Sequence, residues 1–87
     1  MIKRLTFNQA LGMAQTVDCL VRGPDSLVPI TISKAAARRF YGPSVKAYKA
    51  TPATSRLDGS LFWEAEDRDA GHTLWTFDPA DRTLLIG

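Results

Sequence analysis

The chain has 87 residues, 45% of them hydrophobic, which fits one α+β domain over residues 1–87 and is too apolar for a disordered chain. Eleven Lys and Arg stand against nine Asp and Glu, a net charge of +2, and no run approaches the roughly 20 apolar residues that cross a bilayer, so no membrane association is expected. The lone Cys19 excludes an internal disulfide, and Lys3 and Arg4 precede no apolar stretch of the secretory kind, so the expected location is the reducing cytoplasm.

In chain order, Thr6-Phe7-Asn8-Gln9 has the form of a capping box, in which a hydroxyl and an amide side chain satisfy the free amides of a helix start. Phe7, Leu11, Ala14, Val17 and Val21 then recur at helical spacing up to Gly23-Pro24, which predicts one helix across this stretch. A competing pattern sets Val17, Cys19 and Val21 on one face of a strand over residues 16–22. Leu27–Ile32 is β-branched and reads as a strand, with Pro29 pointing to an edge or a bulge. Ser33 suits the N-cap of a short helix over Lys34–Tyr41, closed by Gly42-Pro43. Val45–Lys49 is expected as a further short strand, and Ala50–Arg56 as a surface connection.

Ser60–Glu66 and His72–Phe77 alternate in polarity about the Gly-ended loop Asp67–Gly71 and predict a hairpin. Asp78-Pro79-Ala80-Asp81 suits a type I turn into a last strand, Thr83–Ile86. The expected architecture is two helices packed on an antiparallel sheet that ends in a three-stranded C-terminal meander. Its core candidates are Phe7, Leu11, Phe40, Trp63, Trp75, Phe77 and Leu85.

Charge is unevenly divided. Residues 1–56 hold nine bases and two acids, whereas residues 57–87 hold two bases and seven acids. Such asymmetry points to a polyanion or a charged protein partner, or to two halves that neutralise each other. Lys34 and Arg38 share a helix face, with Arg39 and Tyr41 beside it, and Lys46 and Tyr48 would share a strand face next to Lys49. Bases interleaved with tyrosines can neutralise phosphates and stack on unpaired bases. Lys34, Arg38, Arg39, Tyr41, Lys46, Tyr48 and Lys49 are therefore the candidate binding residues.

No catalytic, metal or cofactor motif emerges. His72 could pair with Asp69 and a hydroxyl from Thr73 or Ser60, but Gly59-Ser60-Leu61 lacks the pattern of a nucleophile elbow. Glu66–Gly71 resembles part of a calcium loop without its closing glutamate, and one Cys with one His cannot make a zinc site. Trp63 and Trp75 are expected in the core in preference to a ligand-stacking pair.

Three stretches resemble pieces of known families. Ile30–Gly42 is similar to the strand–helix of AbrB-like swapped-hairpin DNA-binding regulators, although Ser33 stands where those have proline. Residues 3–32 resemble the opening of plasmid-addiction antitoxins, and the closing strands resemble those of ribosome-dependent mRNA-cleaving toxins without their basic catalytic set. None spans enough chain to identify a family. The leading expectation is a non-enzymatic binding module, a small regulator or inhibitor acting on a protein partner or forming a homo-oligomer. The alternatives are nucleic-acid binding through the basic half and a small ribonuclease-like enzyme.

Overall fold

A computed structural model describes residues 4–87. Its elements are α1 (Phe7–Met13), β1 (Thr16–Arg22), β2 (Leu27–Ile32), α2 (Lys34–Phe40), α3 (Gly42–Val45), β3 (Thr51–Thr54), β4 (Leu61–Asp67), β5 (His72–Asp78) and β6 (Thr83–Ile86). The strands form one six-stranded sheet in the order β2-β1-β6-β5-β4-β3.

The capping box forms: Gln9 N–H donates to Thr6 Oγ1 at 3.1 Å, and Thr6 N–H donates to Gln9 Oε1 at 2.9 Å. The expected long helix does not follow, because α1 stops at Met13 and Ala14 is extended. Residues 16–22 are a strand in which buried Val17 and Cys19 alternate with half-buried Asp18 and Leu20. Val17 and Val21 belong to both patterns and Cys19 to the alternating one alone, and β1 gains ladder partners on both sides, β2 and β6. Gly23 closes the β1–β2 hairpin, its N–H donating to Ser26 O at 2.8 Å.

β1 and β6 run parallel, so the sheet is mixed, and three short helices accompany it where two helices on an antiparallel sheet were expected. The turn before β6 makes this juncture. Arg82, at φ 55°, accepts at its carbonyl from Gln15 N–H (2.7 Å) and Thr16 N–H (3.3 Å), while its Nε donates to Met13 O (3.0 Å). A turn between β5 and β6 is thereby bonded to the link between α1 and β1.

Ser33 caps α2 as expected, its Oγ accepting from Ala36 N–H at 3.0 Å. Gly42-Pro43 opens α3 instead of ending the helical region, since proline is well placed in a helix's first turn. Val45–Lys49 is therefore not a strand. The strand lies one segment later, at Thr51–Thr54, inside the stretch read as a connection. β4, β5 and β6 are consecutive antiparallel neighbours.

The core is on one face of the sheet, where Val17, Cys19, Ala65, Trp75, Phe77, Leu84 and Ile86 meet Phe7, Ala10, Leu11, Ala37 and Val45 from the helices. The opposite face carries Leu20, Phe62, Thr76 and Leu85, which are half-buried. Two expected core residues are elsewhere: Phe40 is 68% exposed, and Leu85 lies on the uncovered face. A shift in register between Ala65 and Glu66 leaves Leu74 as an extra residue in β5. Leu74 packs against the core, and Thr73 turns its hydroxyl to Glu64 Oε2 at 3.0 Å.

Candidate functional site

α2 buries only Ala37, which leaves Lys34, Arg38, Arg39 and Phe40 exposed. Arg38 and Arg39 lie in its last turn, where cations face the free carbonyls favourably. Lys34 Nζ donates to Gly12 O at 3.3 Å, tying the start of α2 to the end of α1. Arg38 and Lys46 line one shallow depression with Asn8, Gly42 and Pro43. The Arg39 guanidinium lies 5.6 Å from the centre of the Phe40 ring.

Lys49 belongs to a different place. It lines an open cleft with Arg4, Tyr48 and Thr51, opposite Glu66, Asp67, Arg68 and Asp69 of the β4–β5 hairpin. The basic and acidic parts of the chain meet in this cleft, while Arg38, Arg39 and Lys46 stay on the helical side. Lys3 lies outside the described residues. Both tyrosines are half-buried against the core. The Tyr41 phenol shares a hydrogen bond with Cys19, which, with charge repulsion and burial, raises its pKa above the usual 10.0. Because residues 46–49 are not a strand, Lys46 and Tyr48 do not share a strand face.

The other candidates resolve into local structure. His72 is exposed at the start of β5, opposite Asp67. Asp67 Oδ1 accepts from Asp69 N–H (3.0 Å) and Ala70 N–H (3.2 Å), and Gly71 adopts φ 73°. The apparent calcium-loop fragment is thus a hairpin tip that uses its carboxylate on its own backbone, and no metal-binding cluster occurs among the described residues. Asp58 Oδ1 accepts from Ser60 N–H (3.0 Å) and from Ser60 Oγ (2.7 Å), and these bonds, the backbone one foremost, hold the Asp58 carboxyl below its ordinary pKa. Trp63 faces Phe77 across the strands and Trp75 faces Ala65, so the two tryptophans are not direct partners.

β2 takes the edge position that Pro29 suggested, and what sequence reasoning missed is how much apolar surface that edge leaves exposed. Leu27, Val28 and Ile30 are 59%, 43% and 46% exposed, in a strand without a charged residue. In an antiparallel ladder, bonded and non-bonded pairs alternate. The Gly23–Ser26 bond therefore makes Val21–Val28, Cys19–Ile30 and Val17–Ile32 the bonded pairs. Leu27, Pro29 and Thr31 consequently turn their backbone groups outward, away from β1. The Ser55–Ser60 bond fixes the same alternation at the other edge and turns Pro52 outward in β3. Each edge strand has its proline where no ladder bond is lost. Pro29 is the sequence signal for an edge, and the apolar residues on either side of it give no sign in the sequence of being left open.

No family, curated protein or solved structure matches the chain.

Proposed function

We propose that this chain is a non-enzymatic binding module, a small regulator or inhibitor that works by protein–protein contact in the cytoplasm. The observation that supports it is the β2 edge, an uncharged strand with outward backbone groups and exposed Leu27, Val28 and Ile30. A protein partner that adds a strand there gains main-chain hydrogen bonds and covers apolar side chains in one step. Charges, bulges or very short length usually guard such an edge, and β2 has only Pro29. Affinity capture from a lysate of the source organism, with nuclease treatment, tests this. Retained protein should survive nuclease, be lost with Val28→Lys and persist with Arg38→Glu. Retention that disappears with nuclease, or that ignores Val28→Lys, overturns the reading.

The second reading is nucleic-acid binding, favoured by Arg38 and Lys46 lining one depression beside Arg39. Each phosphate neutralised on duplex DNA contributes about −0.9 to the slope of log affinity against log salt. Arg38→Glu with Lys46→Glu should flatten that slope in a filter-binding titration. An unchanged slope removes this reading.

A further inference from the structure

We infer that the exposed end of α2 binds single-stranded nucleic acid, with Phe40 stacking on an unpaired base beside phosphates neutralised by Arg38, Arg39 and Lys46. This rests on the second reading above, nucleic-acid binding, and adds to it the strandedness of the ligand. Of the eight aromatic residues, Phe40 alone is exposed, at 68%. The other seven are buried or half-buried, Tyr41 and Tyr48 among them, so the stacking expected of the tyrosines falls to Phe40. Successive residues step about 100° round a helix axis, so Arg38, Arg39 and Phe40 fan out around α2, all three exposed.

The charge around this ring suits a polyanion. Residues 26–57 contain six bases and no Asp or Glu. α1 and α3 pack against α2, and no carboxylate belongs to any of the three helices. Asn8, Gly42 and Pro43 complete the depression that Arg38 and Lys46 line, again without an acid. Lys34 is bonded to Gly12 O, and Lys49 lies in the cleft facing the acidic hairpin, which leaves three cations for phosphates.

The ring decides the form of nucleic acid. In a duplex the faces of the bases are stacked on one another and closed to a side chain, whereas a single strand leaves them open. Every base has a π-face, so such stacking tolerates any sequence. The Arg39 guanidinium, 5.6 Å from the centre of the Phe40 ring, is a second planar group on which a base can lie. An acidic peptide satisfies three cations as well, but only a nucleic acid brings a planar group with every charge.

Fluorescence anisotropy titrations over a range of salt test the inference. The probes are labelled oligodeoxythymidine, oligouridine and a hairpin duplex with the same number of phosphates. The full chain should bind the single strands more tightly than the duplex. Its slope of log affinity against log salt should be about −2, from three contacts at roughly −0.7 each. Phe40→Ala should weaken single-strand binding about 5- to 150-fold and leave the slope unchanged, and Phe40→Trp should retain the binding. Because the side chain is exposed, both variants should keep the circular dichroism of the parent chain. Whichever single strand binds more tightly identifies the source as DNA or RNA, and either supports the inference. Equal binding of single strand and duplex, a Phe40→Ala variant that binds as the parent does, or displacement by polyglutamate at equal charge each overturns it. Salt-sensitive binding that survives such a failure and still depends on Arg38 and Lys46 defeats the stacking alone. No salt-sensitive binding of any probe defeats the nucleic-acid reading as well.

Discussion

The ring of Phe7 meets that of Trp75 edge to face, with centroids 5.7 Å apart and planes at 75°. This contact joins α1 to the middle of the sheet, and both side chains are fully buried. α1 has only seven residues, too few to be stable alone, so its existence depends on this packing. Phe7→Ala should cost about 3–5 kcal/mol. Urea unfolding followed by Trp fluorescence measures it, and a loss below about 1 kcal/mol would mean that α1 is not anchored at Trp75.

The capping box is the local half of the same anchor. Thr6→Ala removes the acceptor for Gln9 N–H and should cost about 1 kcal/mol. Thr6→Asn should retain most of the stability, since Asn is an equally good cap. Thermal melts of the two variants beside the parent chain make the comparison, and equal losses would show that the box contributes nothing.

Alkaline stability should report on Tyr41. Its folded pKa is raised, so the folded protein holds the phenol's proton more tightly than the unfolded chain does. The associated stability is complete below the unfolded value near 10.0 and is lost as pH rises through the folded pKa. Melting temperatures taken between about pH 9 and about pH 11 should fall more steeply for the parent chain than for Tyr41→Phe. Parallel curves would contradict the Cys19–Tyr41 contact.

Gly71 ends the β4–β5 hairpin tip at φ 73°, and a Cβ added there would meet nothing within 4 Å. Gly71→Ala should therefore cost roughly 1–2 kcal/mol from backbone strain alone. Gly71→Asn should cost less, because Asn tolerates the left-handed region. Chemical denaturation of both variants makes the comparison, and equal losses would mean that the left-handed backbone at residue 71 does not set the cost.

Much of the local structure is legible from residue order. The capping box, the Ser33 cap, the Leu27–Ile32 strand, the Asp67–Gly71 hairpin loop and the turn at Asp78 depend on short-range hydrogen bonding and backbone preference. The helix expected over residues 16–22 fails because Val17 and Val21 serve either period, and only a neighbour on each side decides for the strand. Val45–Lys49 and Thr51–Thr54 exchange roles for a similar reason. Four residues carry too little pattern, and pairing with β4 makes Thr51–Thr54 a strand despite Pro52.

The candidate binding residues divide along the same line. Lys34, Arg38 and Arg39 follow from a helix whose start is readable from Ser33. Grouping Arg38 with Lys46, and sending Lys49 to the acidic hairpin, needs the α2–α3 corner and the path into β3. The exposed β2 edge needs more still, since no composition distinguishes an apolar strand covered on both sides from one left open.

Residue order by itself determined the caps, the turns, the charge division and the edge preference of Pro29, because each acts over a few bonds or through composition alone. The tertiary structure decided the parallel seating of β6 on β1, the short α1, the separation of Lys49 from Arg38 and Lys46, and the openness of β2. Those outcomes depend on which distant segments compete for the same backbone donors and the same apolar faces. That competition is resolved only when the whole sheet assembles.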